Sequence, residues 1–155
     1  MAISPTIRIQ TEDFDAAREI AALTAGRTDI GAVVTFSGIC RGETGGEQTG
    51  ALTLEHYPGM AEAEIGRHAD EAIARWPLTG LTIIHRVGRI LPGENIVLVV
   101  TASAHRQAAF HAAEFLMDYL KANAPFWKHE ETAAGRRWVA AHDRDDAAAA
   151  RWDKS

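Results

Sequence analysis

The segment 81–103, "LTIIHRVGRILPGENIVLVVTAS", decides the fold class of this 155-residue chain. It holds two runs rich in β-branched residues, "LTIIHRVGRI" and "ENIVLVVTAS", which flank the short turn "LPGE". Two such runs joined by a turn that contains Pro and Gly are typical of neighbouring antiparallel strands. We therefore expect antiparallel sheet at the centre of the fold.

Two long helices are predicted, one before this strand pair in the chain and one after it. Apolar residues recur at helical spacing over residues 60–76, and Pro77 follows the end of that segment. Ser103 is a favourable N-cap for a second helix over residues 104–123, which Pro125 ends. Near the N-terminus, Thr11 precedes a shorter helical pattern that stops at Gly26.

The remaining segments add strands and two less regular stretches. "TIRIQ" and "ALTLEHY" alternate as half-buried strands do, and "IGAVVTFSGI" (30–39) is apolar enough to predict a buried strand. "FWKHEE" and "RRWVAA" form a predicted hairpin around "TAAG". The glycine-rich residues 42–50 are expected to be a mobile surface loop, and the tail 143–155 a short helix or a frayed end. Hairpin patterns outnumber crossover patterns, so the prediction for residues 1–155 is one α+β domain with mainly antiparallel sheet.

Composition excludes several classes of protein. A net charge of −5 argues against broad nucleic-acid binding, which requires a basic face. No apolar run approaches the roughly 20 residues that span a membrane, and the N-terminus has no secretory signal pattern. The single cysteine, Cys40, rules out an internal disulfide framework and fits a reducing compartment. The expected location is the cytoplasm.

Common catalytic motifs are absent. The glycine-rich segment lacks the Gly-Lys-Ser/Thr of a phosphate-binding loop, and the seven histidines include no H-E-x-x-H pattern, so no metal site is predicted. Cys40 precedes Arg41, which could lower the pKa of a nucleophilic thiol. A lone cysteine at the end of a buried strand is more often a small packed side chain, so packing is the favoured interpretation and the nucleophile is the alternative.

Basic residues suggest a pocket for an anion. His105 and Arg106 lie at the start of the second long helix, where free N–H groups favour a bound phosphate, although a neighbouring carboxylate would also compensate their charge. The chain has thirteen arginines but three lysines, and two of these, Lys121 and Lys128, flank "ANAPFW". Lysine can lose its proton when desolvated, whereas guanidinium essentially cannot. With Arg41, these residues could form one pocket, or they could be a helix cap and strand-edge charges.

Several longer motifs together resemble a known family. "GAVVTFSGICR", "ALTLEHYPGMAEAEI", "IIHRVG", "PGENIVLV", "SAHR", "FLMDYLKANAPFWKHE" and "RRWV" follow the order seen in the large subunit of molybdopterin synthase, over about residues 29–139. The resemblance implies an α/β-hammerhead fold and a central homodimer within a heterotetramer. It also implies a small ubiquitin-like sulfur-carrier subunit with a thiocarboxylated Gly-Gly C-terminus as partner. The implied activity is sulfur transfer to cyclic pyranopterin monophosphate (precursor Z), forming the dithiolene of molybdopterin without a cofactor or metal.

The resemblance also assigns site residues. Lys121 and Lys128 match the family's active-site lysines, and His105 and Arg106 match its substrate-contacting pair. The chain departs from the family pattern at Ile39 and Gly42, where many members have Lys and Asn, and at His142, where some members have Arg. The further implied substrate contacts are Ile39, Cys40, Arg41, His129 and Glu130.

Two other functions remain open at this level. One is a thiol transferase that depends on Cys40, and the other is a phosphate- or nucleotide-binding module without turnover. The presence of both Lys121 and Lys128 argues against a module that only binds.

Overall fold

A computed structural model describes residues 3–123, 125–132, 135–138 and 143–154. The helices are α1 (Ala16–Thr24), α2 (Met60–Arg75), α3 (Arg106–Ala122) and α4 (Asp143–Ala150), followed by a short 3₁₀ helix at Arg151–Lys154. The strands are β1 (Thr6–Gln10), β2 (Ala32–Ile39), β3 (Glu43–Thr44), β4 (Glu47–His56), β5 (Leu78–Arg86), β6 (Gly88–Ile90), β7 (Asn95–Ser103), β8 (Phe126–Thr132) and β9 (Gly135–Trp138). None of the described helices combines the length and the apolar character needed to cross a bilayer.

The first sheet has the strand order β1-β5-β7-β2 and is built on the segment that decides the fold. β5 and β7 pair antiparallel, with Thr82 opposite Val100, as predicted; only the β1–β5 pair of this sheet is parallel. Helices cover both faces: α2 and α3 pack on one, and α1 packs on the other against Ile84, Leu98 and Val100. Burial on both faces explains why β5 and β7 are almost continuously apolar.

The second sheet has the order β3-β4-β8-β9, with β6 paired to β4. The predicted hairpin β8–β9 is confirmed, with Thr132 opposite Gly135. A small cluster of Cys40, Leu52, Leu54 and Ile90 forms its core. Ile96 and Phe126 pack against this cluster and against the main core, so the two sheets share apolar contacts. The α+β prediction with mainly antiparallel sheet is confirmed.

Two predictions about strands are wrong. β2 is the edge strand of its sheet, and its side chains are half-buried or exposed, with Phe36 at 38% and Ile39 at 54% exposure. An apolar run alone does not distinguish a central strand from an edge strand. Residues 42–50 form β3, a two-residue turn and the start of β4 instead of an irregular loop. Gly45 and Gly46 have φ of 59° and 84°, which suits a tight hairpin turn.

The helix starts also differ from the predictions. α1 begins at Ala16, and the Asp15 side chain, in place of Thr11, accepts a hydrogen bond from the Arg18 N–H at 3.1 Å. α3 is preceded by His105 as N-cap, because Ser103 still belongs to β7 and donates its hydroxyl to the Pro77 carbonyl at 2.9 Å. The Ser103 hydroxyl therefore stabilises the end of β7 and does not cap α3.

The C-terminal tail contains a helix, the first of the two predicted alternatives, and it returns to the core. Trp152 packs edge-on against Trp76 and Phe115, at centroid distances of 5.6 Å for both. Its indole N–H donates to the Asp118 carboxylate at 2.7 Å, and Arg151 pairs with the same carboxylate. The tail therefore fastens the outer side of α2 and α3.

Candidate active site

Lys128 on β8 is the centre of the candidate site. It lies opposite Leu54 of β4, and the strand alternation places Phe126 and Glu130 on the same side of the sheet. The lysine side chain is largely buried, and this burial lowers the pKa of its ammonium group. The positive charge of Lys121 lowers the pKa further, whereas the Glu130 carboxylate opposes the change. An amine in this setting gives up its proton more readily than an ordinary lysine does.

Lys121 reaches the same pocket from the last turn of α3. The chain passes from Lys121 through Pro125 directly into β8, so the two lysines are carried by one helix-to-strand connection. Arg41, which follows β2, also acts electrostatically on Lys128. The structure therefore brings together three of the predicted cations, Lys121, Lys128 and Arg41, with the predicted Glu130 as a nearby counter-charge.

Cys40 lies beside these groups but is not activated. It is 6% exposed, and burial raises the pKa of its thiol despite the attraction of Lys128. Its backbone N–H donates to the Glu94 carbonyl at 2.8 Å, and its carbonyl accepts from the Gly93 N–H at 2.7 Å. A thiolate nucleophile needs the opposite pKa change, so this geometry favours the packing role.

His105 and Arg106 lie far from the lysines of the same chain. They stand exposed at the start of α3, whereas Lys121 is in its last turn, fifteen residues later. At 1.5 Å per residue, Arg106 and Lys121 are about 22 Å apart along the helix axis. The predicted single pocket therefore does not form within one chain.

Three other predicted residues occupy different settings. His129 points to the opposite side of β8 from Lys128, where its Nε2 lies 3.6 Å from the Glu55 carboxylate. Ile39 is exposed at the end of the edge strand β2, one residue before Cys40. A Cβ added at Gly42 would lie 3.5 Å from the Pro92 Cβ, an ordinary contact distance, and His142 lies outside the described residues.

The structure adds a histidine to the lysine pocket that the sequence analysis missed. His85 on β5 is 7% exposed, its ring stacks on Phe126, and its electrostatic neighbours include Lys121 and Lys128. The sequence feature that could have identified it is the position of a histidine at the end of the apolar run "LTIIH". A cleft of about 630 Å³ is a separate feature, because its lining includes Glu55, His56 and Trp127 but not Lys121, Lys128 or Arg41.

Metal binding has no support in the described ranges, where no three His, Cys, Asp or Glu side chains are grouped so that they could hold an ion. The described groups at the site are two amines, one guanidinium group, the Glu130 carboxylate and a buried imidazole.

Comparison with known proteins relates this arrangement to one family. The family model described as "MoaE protein" matches residues 9–123. A molybdopterin synthase catalytic subunit from Mesorhizobium japonicum is 66% identical over 155 residues, covering 99% of this chain and 96% of that protein. The solved structure of a molybdopterin biosynthesis MoaE protein from Burkholderia ambifaria is 52% identical, with a TM-score of 0.82 over 96% of this chain and 98% of that one. A molybdopterin synthase structure from Staphylococcus aureus is 32% identical, with a TM-score of 0.79 over 86% and 96%.

Proposed function

The chain belongs to the MoaE protein family, whose curated members are molybdopterin synthase catalytic subunits, and from this membership we propose its reaction. It transfers sulfur from the C-terminal thiocarboxylate of a small ubiquitin-like carrier subunit to precursor Z and so forms the dithiolene of molybdopterin. The observation that carries the proposal is that Lys121 and Arg41 act electrostatically on Lys128. Burial and these two charges together lower the pKa of the Lys128 amine. The described residues act as one domain, since Ile96 and Phe126 pack against both the main apolar cluster and the cluster around Cys40.

The three cations suit a reaction between two anions. The thiocarboxylate and the cyclic phosphate repel each other, and a partly dry pocket with positive charges offsets that repulsion. Arg41 supplies a permanent charge with a forked donor geometry that matches phosphate. Lys121, which is exposed, supplies a second charge at the mouth of the pocket.

Lys128 has a different task in this proposal. Release of the sulfur, once it is bonded to the substrate, requires water to add to the carrier's carbonyl carbon. An ammonium group beside that carbon stabilises the tetrahedral oxyanion, which collapses to a carboxylate as the sulfur leaves with the substrate. Because burial lowers the pKa of Lys128, its ammonium also passes a proton to the oxygen or the leaving group more easily. Cys40 has no step in this scheme, since its raised pKa keeps it a thiol.

His105 and Arg106 join the site from a second copy of the chain in a homodimer. β2 is an edge strand with exposed Phe36 and Ile39, and such an edge is a template for pairing with another strand. A twofold axis makes the two β2 strands antiparallel. The Ile39 end of one copy, next to the lysine pocket, then lies beside the Ala32 end of the other.

The dimensions agree with this arrangement. β2 spans about 23 Å between Ala32 and Ile39, close to the 22 Å between Arg106 and Lys121. The Ala32 end adjoins the start of α3, because the Gly31 N–H donates to the Ser103 carbonyl at 3.0 Å. A Cβ at Gly31 would lie 2.1 Å from the Ala104 carbonyl oxygen, so glycine permits this close approach.

A reconstitution assay tests the reaction. The purified chain is mixed with thiocarboxylated carrier and precursor Z, and dithiolene product is measured, with the chain alone as control. We expect product only in the complete mixture, because the one cysteine is buried and no other group supplies transferable sulfur. Sulfur transfer without the carrier, or its complete loss in folded Cys40→Ser, would favour the thiol transferase; binding of precursor Z without turnover would favour the binding module.

A mixing experiment tests the shared site. At a precursor Z concentration well below the wild-type KM, Arg106→Ala and Lys121→Ala are each expected to be nearly inactive, but mixed dimers contain one site in which both residues are intact. Equal amounts, after subunit exchange, should recover roughly a quarter of the wild-type activity. The matched control mixes Arg41→Ala with Lys121→Ala, which belong to the same chain's pocket and should recover none. No recovery in the first mixture would place the whole site in one chain.

We also propose a cytoplasmic location, supported by the single, unpaired and buried Cys40, which fits a reducing compartment.

A further inference from the structure

His85 lies between the core of the first sheet and the lysine pocket. Its ring stacks on Phe126 with centroids 4.1 Å apart and planes 20° from parallel. Phe126 is the first residue of β8, two positions before Lys128 on the same side of the strand. The Phe126 ring is therefore a neighbour of the Lys128 side chain on that side of β8.

The orientation of the His85 ring is fixed from its other edge. Its Nδ1 lies 2.8 Å from the Arg86 carbonyl oxygen, and since a carbonyl only accepts, Nδ1 carries the proton. The Arg86 guanidinium is itself anchored, with donors to the carbonyls of Thr11 and Asn95 at 2.9–3.1 Å. A ring flip would break the bond at Nδ1, so the stacking surface offered to Phe126 stays constant.

The same contacts exclude a proton-shuttle role. The Nδ1 proton is committed to a carbonyl that cannot take it, so a proton received at Nε2 has no exit through the ring. His85 is also a weak base, because burial lowers its pKa to about 4. The charged and titratable groups around it are Arg86 on its own strand, Lys121 from α3, Lys128 from β8 and His56 from β4.

We infer that His85 is a positioning residue for sulfur transfer: its fixed ring holds Phe126 against the core and thereby sets the place and the dryness of the Lys128 amine. The catalytic part of this inference rests on the proposed function, but the effect on the Lys128 amine does not. A neutral ring is required here, because a charged group would add a third positive charge beside two lysines. An aromatic ring is required because the contact with Phe126 is face to face.

Lysine titration tests the inference directly, since the chain has only three lysines. Carbon-13 labelling of the lysine side chains gives three Cε signals, assigned by Lys→Arg variants and followed by NMR as the pH is raised. His85→Asn keeps an N–H donor but removes the ring, and Lys128 should then titrate closer to an ordinary lysine. His85→Phe keeps the stacking ring but loses the bond at Nδ1, and Lys128 should then titrate closer to the wild type than it does in His85→Asn.

Turnover provides the second readout. In His85→Asn, kcat should fall on the order of 10²-fold with little change in KM, as expected when a catalytic group is misplaced by about 1 Å. His85→Phe should stay within a few-fold of the wild type. The matched control is His68→Asn, which removes another stacked histidine, 3.3 Å from the Tyr119 ring, and should change neither readout.

The inference is overturned if Lys128 titrates as in the wild type in folded His85→Asn, or if His85→Phe shifts it equally. If His85→Asn does not fold, Phe126→Leu removes the same ring contact from its half-buried partner. Lys128 must then titrate at a higher pH than in the wild type, as expected for His85→Asn. The wild type could show no sulfur transfer while His85→Asn still changes the titration of Lys128 as expected. That result would contradict the proposed function and support the positioning role.

Discussion

The buried His85 makes this protein less stable as the pH falls into the mildly acidic range. An exposed histidine in the unfolded chain has a pKa of 6.5, whereas burial lowers the pKa in the folded protein to about 4. Because the folded pKa is the lower one, the stabilisation is complete above pH 6.5 and is lost as the pH falls through 4. At about 1.4 kcal/mol for each pH unit between the two values, the loss reaches about 3 kcal/mol at pH 4.

Urea unfolding at several pH values measures this effect. We expect the free energy of unfolding to fall by about 2 kcal/mol between pH 7.5 and pH 5 from His85 alone. Other groups titrate over the same range, so the informative quantity is the difference from His85→Phe, whose ring has a similar shape and no proton to gain. All measurements need one protein concentration, since unfolding of a dimer depends on it.

A second variant controls for the loss of a histidine as such. His68 is only partly buried, so His68→Phe should keep the pH dependence of the wild type. Equal pH dependence in the wild type and His85→Phe would refute the reasoning, because it would mean that His85 gains its proton as easily in the folded protein as in the unfolded one.

Three further outcomes are expected. Lys121→Arg and Lys128→Arg should each lower kcat by about 10²–10³ while the protein stays folded by circular dichroism, since an arginine keeps the charge but not the shape or the removable proton. Near-normal turnover in both would contradict the need for lysine. Arg106→Ala should weaken precursor Z binding by about 1.5–3 kcal/mol in calorimetry, the range of a charge-assisted hydrogen bond, with unchanged melting temperature. Trp152→Ala should destabilise the fold by about 2 kcal/mol in urea unfolding, because it uncovers Trp76 and Phe115; no change would mean that the tail adds nothing to stability.

Local pattern was sufficient where one interaction dominates. β5 and β7 are apolar on both faces because helices cover both, and they pair with each other as predicted. The predicted first strand is divided, however, because Gly88–Ile90 forms β6, which pairs with β4 and precedes the turn. The extents of α2 and α3 follow from helical spacing and from Pro77 and Pro125. β2 was misjudged because apolar residues serve a buried strand and an exposed edge equally, and only the sheet order separates the two.

The site was predictable in parts and not as a whole. Lys121 and Lys128 are close in the chain and remain close in space, so sequence proximity located their pocket. His105 and Arg106 share α3 with Lys121, yet a straight helix holds its two ends apart. His85 escaped notice because a histidine in an apolar strand is most simply a packed residue, and its contact with Phe126 joins positions 41 residues apart in the chain.

The structure gives a physical reason for a lysine instead of an arginine at position 128. Arg41 stands at the exposed end of the pocket, where a permanent charge is tolerated because water reaches it. Lys128 is withdrawn from water and lies within the influence of Lys121, and both effects lower its pKa. A guanidinium in that place would keep its full charge and pay the whole cost of burial, because its pKa is too high to be lowered into the working range. An amine relieves part of the repulsion by releasing its proton, and the same release makes it useful to a reaction that moves protons as sulfur changes partners.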